Sequence, residues 1–247
     1  MSTLKSAVKS LGLQENYVRA TFYPTQPLLV HILNLTKSGC NIYYRLMRKH
    51  INLKTNLTVR EEKWHKELNS VYSTEFWNKT YALTADIKYD NRIKWIQFQI
   101  NRNSLYTNYR VNKFNNQVSP LCTFCIQSQN MFPQIEHVSH LFVTCPTIQS
   151  LWHAIVRWLE SVEVTLPTNK QNILFGIHNQ PFDSLQNYVI LCTKYYIWVM
   201  KQKQQSPTLE MFKKYFLSKL DDLKNVYTLL DNNISFNQWL NIYRNLL

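Results

Sequence analysis

Three of the chain's five cysteines and two of its seven histidines fall within residues 122–145, CTFCIQSQNMFPQIEHVSHLFVTC. Cys122 and Cys125 have the spacing at which a tight turn aims two thiolates at one cation, and a tetrahedral ion then needs two more nitrogen or sulfur donors. His140 and Cys145 supply them after an interval of fourteen residues. A Cys3His set fills all four positions around Zn2+ and leaves none for water, so the expected ion serves the fold and not a reaction. His137, one helical turn before His140, offers the same nitrogen chemistry, and spacing alone does not choose between the two. Taken singly, each residue reads as a buried thiol or an ordinary imidazole; their joint spacing points to a metal. Cys40 and Cys192 lie outside the set, and Cys192 sits in an apolar stretch where core packing accounts for it. Clustered cysteines of odd number suit a reduced compartment, nucleus or cytoplasm, better than a disulfide framework.

The elements that must carry this loop read as helices. TVRE at 58–61 is a capping box, followed by Trp64, Leu68, Val71 and Tyr72 on one face. A helix is expected over Asp90–Tyr106, with Ile93, Ile96 or Phe98, Ile100 and Leu105 inward and Arg92, Lys94 and Arg102 outward. After the cysteine loop, Thr147 reads as a cap for an apolar stripe of Ile148, Leu151, Trp152, Ile155 and Leu159. The stretch from Asp183 to Lys203 is apolar on nearly every side, as the buried centre of a bundle is. Ser206 then reads as a cap with Pro207 at the first helical position, ahead of a stripe from Leu209 through Phe212, Phe216, Leu220, Leu223 and Tyr227 to Leu230. A last helix is expected around Ser235–Tyr243. The fold class is therefore mostly α: helical bundle-like segments around a small zinc-stabilised Cys3His loop. Proline-bearing stretches at 19–40 and 160–183 divide the chain into an N-terminal extension (1–40), a helical region with the zinc-binding segment (41–160, the segment itself at about 90–160) and a C-terminal helical segment (161–247).

With 28 Lys and Arg against 15 Asp and Glu, the formal net charge is +13, which makes polyanions the natural partners. Only three glycines are present, too few for the phosphate-cradling loops of nucleotide-binding folds. The N-terminus lacks a secretory signal and no apolar run approaches the roughly 20 residues of a bilayer span, so no membrane partner is expected. Arg45, Arg48 and Lys49 adjoin Tyr43 and Tyr44; Arg92, Lys94, Arg102, Arg110 and Lys113 are interleaved with Tyr106, Tyr109 and Phe114. Cations track phosphates and aromatic faces stack on unpaired bases, so these residues are candidates for contact with RNA or DNA.

The cysteine segment resembles the zinc-binding segment near the C-terminus of the reverse transcriptases of non-LTR (long interspersed) retrotransposons. The likeness rests on CTFC, Glu136, HLFVTCP from His140 to Pro146, and Leu151-Trp152. It extends more loosely to IKWIQFQINRNSLYTNYRVNKF upstream, to NIYYRLMRKH and EKWHKEL before that, and to ILFGI downstream. The resemblance implies Cys122, Cys125, His140 and Cys145 as the ligands. It also implies a C-terminal module that helps a retrotransposon protein hold template RNA or target DNA, with the polymerase part of such a protein as a further partner. A polymerase palm needs an aromatic-x-Asp-Asp hairpin and another aspartate. The one Asp-Asp pair, Asp221-Asp222, follows Lys219 on an expected amphipathic helix, and no Ser/His/Asp or Cys/His set has supporting context. The expectation is thus a nucleic-acid-binding module, or a host-retained copy of one, that is not an enzyme on its own. Its rival is a protein-interaction module in which zinc only staples a helical scaffold and the aromatics at 188–200 or 236–243 dock the partner.

Overall fold

A computed structural model describes residues 58–87, 90–129, 132–180 and 184–229. Cys40, Arg45, Arg48, Lys49, the 1–40 extension and the helix expected at Ser235–Tyr243 lie outside them. Among the described residues every regular element is helical, and the only β pairing is an isolated antiparallel bridge between Leu121 and Ile135.

The capping box at 58–61 forms: Thr58 N–H donates to Glu61 Oε2 at 2.7 Å and Glu61 N–H to Thr58 Oγ1 at 3.4 Å, opening α1 at Val59–Leu68. The chain leaves α1 at Asn69, which takes a left-handed conformation (φ 49°). Val71 is consequently not on the inner face expected for it, but 87% exposed. Ser73 caps a second helix, α2, Thr74–Asp86. Asp90 caps α3, Asn91–Asn101, by accepting from the amides of Arg92 and Ile93. This helix ends short of Tyr106 because Arg102 leaves the helical track and Asn103 turns to positive φ. Its inner face holds Ile93, Ile96 and Ile100, while Phe98 is 40% exposed. Trp64 Nε1 reaches across to the carbonyls of Ile100 and Asn101, each at 3.2 Å, and so ties α1 to the end of α3.

Two five-residue helices follow, α4 at Asn108–Asn112 and α5 at Thr123–Gln127, then a π-helical turn at His140–Thr144. The next helix, α6 (Pro146–Glu160), is capped by Cys145 with Pro146 in its first turn, so Thr147 is inside the helix and not its cap. Its expected stripe is buried as read. After α7 (Lys170–Phe175) the chain turns at Gly176 with φ 87°, and a Cβ there would come within 3.2 Å of Asn187 Oδ1. Both facts favour glycine.

The apolar stretch forms α8, Leu185–Gln202, capped by Ser184, and packs on α3 and on α9, Leu209–Leu229. Thr208, not Ser206, opens α9: its hydroxyl accepts from Met211 N–H at 3.3 Å. One hydrophobic core runs from Trp64 to Leu220 and is continuous across residues 160–161. At one end Phe175 meets Trp64 and Trp77 edge-on, each at 5.2 Å; at the other Phe216 meets Trp158 edge-on at 6.0 Å. None of the described helices is long and apolar enough to cross a membrane.

Candidate metal centre

Each metal-ligand candidate is placed by a helix start or a turn. Cys122 sits at the N-cap of α5 with φ −67° and ψ 126°, and Cys145 at the N-cap of α6 with φ −64° and ψ 126°. In this shared geometry the amide of Cys125 faces the Cys122 sulfur and the amide of Ile148 faces the Cys145 sulfur, and both favour the thiolate. Cys125, one turn into α5, is faced by the amide of Gln134. The π turn explains the four-residue gap before Cys145. Cys145 N–H donates to His140 C=O at 2.9 Å, and closing that wider ring returns the fifth residue to the side of the first.

The resulting donors are Cys122 Sγ, Cys125 Sγ, His140 Nε2 and Cys145 Sγ, all within 4.8 Å of one another and all buried. The Cys122–Cys145 and Cys125–Cys145 sulfur separations are both 3.8 Å, and Cys125 Sγ lies 3.3 Å from His140 Nε2. A tetrahedral ion with metal–sulfur bonds of about 2.3 Å requires sulfur–sulfur edges of about 3.8 Å. The sulfurs are much too far apart for disulfide bonds. His140 Nδ1 lies 3.2 Å from Thr144 Oγ1, one turn onward. That contact leaves Nε2 for the ion and orients the ring, as outer partners of metal-bound histidines do.

Cys122 is pushed far up by donating to Cys145 and by burial, Cys125 is pushed up by burial, and Cys145 is held down by the Cys122 thiol. Three thiolates in one dry pocket need a cation among them. The four residues fit a metal ion by number, donor type and geometry.

His137 is not part of the set. Its ring packs on Tyr109, centroids 4.2 Å apart. Replacing His137 with alanine is therefore expected to leave bound metal at one equivalent per chain by elemental analysis, whereas His140→Ala lowers it; the reverse pattern would overturn the ligand assignment.

Around the centre, the Leu121–Ile135 bridge holds the Cys122 turn against the segment leading to His140: Cys122 N–H donates to Gln134 C=O at 2.8 Å and Glu136 N–H to Pro120 C=O at 2.9 Å. Glu136, fully buried, is the hub of this clasp. Its carboxylate accepts from Asn108 N–H at 2.8 Å and Thr123 N–H at 3.1 Å, the first residues of α4 and α5, and pairs with Lys201 Nζ at 3.2 Å. One carboxylate thus ties two short helices to the C-terminal end of α8, in the geometry where buried charge is tolerated. Periodicity gives no sign of Lys201, Asn108 or Thr144 in these roles, since each is fixed by tertiary contact.

The expected nucleic-acid residues that are described fall on α3, α4 and the loop between them. Arg92, Tyr106, Arg110 and Lys113 are exposed; Lys94 is partly covered, with Nζ 3.0 Å from Ala85 C=O, and Arg102 is half-buried. Cations and rings pair locally: Arg102 lies 4.2 Å from the Phe98 ring centre, Lys113 4.4 Å from that of Tyr109 and Arg110 6.0 Å from that of Tyr106. Asp221 and Asp222 are exposed on α9, with Asp222 3.2 Å from Lys219. Compared with known families and with curated proteins, the chain matches none.

Proposed function

We propose that this chain is a nucleic-acid-binding module held in shape by a structural Zn2+, and that it derives from the C-terminal part of a non-LTR retrotransposon reverse transcriptase. The observation that carries the binding role is the distribution of charge along the chain. Between Asp90 and Glu136 the chain has five cations, Arg92, Lys94, Arg102, Arg110 and Lys113, and not one Asp or Glu. Asp90 is engaged by the amides of α3 and by Lys219 at 3.0 Å, and Glu136 is buried on Lys201. The loop carrying Cys122 and Cys125 therefore lies in the least acidic stretch of the described residues, which favours phosphate.

Zinc is the ion this donor set suits, because soft thiolates with one imidazole in a tetrahedron select it. When bound it supplies fixed geometry and charge neutralisation. Cys122 and Cys145 hold the starts of α5 and α6, His140 holds the π turn, and Glu136 holds α4 beside them. Every donor position is then taken by protein, so the ion has no site for substrate water and the module binds without catalysing. The retrotransposon origin rests on the CTFC and HLFVTCP segments with Glu136 and Leu151-Trp152.

The test is a titration of the zinc-loaded chain against fluorescent structured RNA across a salt series. Five engaged cations give log–log slopes of about −3.5 on single strands and about −4.5 on duplex DNA. Affinity that stays flat with salt, or no binding at low salt by a folded, zinc-loaded chain, favours the protein-interaction reading instead.

A further inference from the structure

The outward face of α3 carries two large rings that the core does not use. Trp95 is 43% exposed and Phe98 40% exposed. Single exposed aromatics are ordinary on protein surfaces, but these two are three residues apart and so adjacent on one helical stripe. Arg92 precedes them by one turn, and Arg102, the residue that ends the helix, lies over the Phe98 ring, so the order is cation, ring, ring, cation. The helix itself contains no acidic residue.

Phe98 has a cation over one face of its ring. The Arg102 guanidinium lies 4.2 Å from the Phe98 ring centre. Arg110 Nη1 donates to Asn103 C=O at 2.9 Å, which ties α4 to the turn that ends α3. Among the described residues Trp95 meets no other aromatic ring. At the end of α3 the Glu67 carboxylate accepts from Asn103 Nδ2 at 2.7 Å and from Ser139 N–H at 3.0 Å, and the charged side chains of the stripe itself are the two arginines.

We infer that Trp95 and Phe98 form a stacking platform for two successive unpaired nucleotides, whose phosphates are taken by Arg92 and Arg102. The inference rests on the nucleic-acid reading above and narrows it to single-stranded substrate. Three residues of α-helix rise about 4.5 Å, somewhat more than the about 3.4 Å that each nucleotide advances along a strand. Ring–base stacking is indifferent to base identity, and bases inside a duplex do not present their faces. The platform therefore discriminates unpaired from paired strands and not one sequence from another.

The experiment uses the full zinc-loaded chain with two fluorescent probes, an oligouridylate and a blunt RNA duplex of the same length, each across a salt series. Leucine keeps the buried part of either side chain covered while removing the ring face. Trp95→Leu and Phe98→Leu are each expected to weaken oligouridylate binding about tenfold, to leave the salt slope unchanged and to shift duplex binding by less than about twofold. Trp95→Phe keeps a ring and is expected to retain most of the affinity. If both leucine variants bind oligouridylate like the parent while the parent shows its salt-dependent affinity, the platform is wrong and the broader binding role stands. Equal losses on both probes also overturn it, because stacking was not what was removed. Loss of self-association in the leucine variants, with nucleic-acid binding intact, assigns the face to protein. If the folded parent binds neither probe at low salt, both readings fall together.

Discussion

Cys125→Ser is expected to strip the metal from the purified chain and lower its melting temperature by about 6–20 °C. Serine preserves volume, so the cause would be lost ligation and not a cavity. Cys125 is fully buried, 3.8 Å from Cys145 Sγ and 3.3 Å from His140 Nε2, and among the described residues no further donor joins the four. The four donors come from α5, the π turn and the start of α6. Helices of five residues do not persist on their own, and a single β bridge joins the two halves of the clasp. Zinc contributes roughly 10–16 kcal/mol to isolated finger peptides. Here Phe124, Leu141, Phe142 and Ile148 also anchor the segment in the shared core, so the expected loss is smaller, about 3–5 kcal/mol. At about 2–4 °C per kcal/mol for a domain of this size, that yields the stated shift. The measurement is metal content by mass spectrometry beside thermal unfolding, with and without chelator. A Cys125→Ser chain that keeps one equivalent of metal, or a parent whose melting temperature ignores the chelator, would refute the centre.

The residue types and spacing of the centre were readable because they are local: Cys-x2-Cys is met by one helix start and His-x4-Cys by one π turn. Spacing alone did not choose His140 over His137; the family likeness named His140, and the π turn brings it to the other donors while His137 packs on Tyr109. The inner stripes of α3 and α6 followed from periodicity, as tertiary packing and pattern agree there. The helix ends did not. Asn69 and Asn103 end α1 and the α3 segment by taking left-handed conformations that asparagine tolerates but does not announce. Cys145 takes the cap position from Thr147 because its sulfur has to face the other three donors. Glu136 stood out only through a family likeness, and its partners on α4, α5 and α8 are brought to it by the fold. Trp95 looked like any aromatic in a helix until the inner face was seen to be filled by three isoleucines, leaving it outside.

Between pH 7 and pH 10 the chain should gain stability steadily, and Lys194→Met should abolish most of that gain. Lys194 lies on α8 with 1% exposure, and among the described residues no carboxylate pairs with it. Its ammonium donates to Gln97 Oε1 and, at 3.2 Å, to Leu174 C=O. Gln97 in turn donates to Asn101 Oδ1 at 2.6 Å and to Leu174 C=O at 2.9 Å, and Asn101 donates to Thr84 Oγ1 at 2.6 Å. Neutral oxygens do not offset the loss of water around a charge, so burial lowers the lysine from 10.5 to about 7. The unfolded chain binds this proton up to about pH 10.5 and the folded chain releases it near 7. Within that window the unfolded state holds more protons, and stability climbs by at most about 1.4 kcal/mol per pH unit. Below pH 7 the lysine is charged in both states, the slope vanishes, and its burial costs the most. Methionine fills similar space without a charge and leaves Gln97 its two donated bonds, so Lys194→Met should be the more stable protein at pH 7 and converge on the parent near pH 10. Denaturant unfolding at several pH values, with zinc in excess to keep the thiolates bound, measures both curves. Parallel curves would mean that the ammonium is hydrated or paired in solution. A methionine variant less stable than the parent throughout would mean that the Gln97–Leu174 network, and not the cost of the charge, decides what this lysine does for the fold.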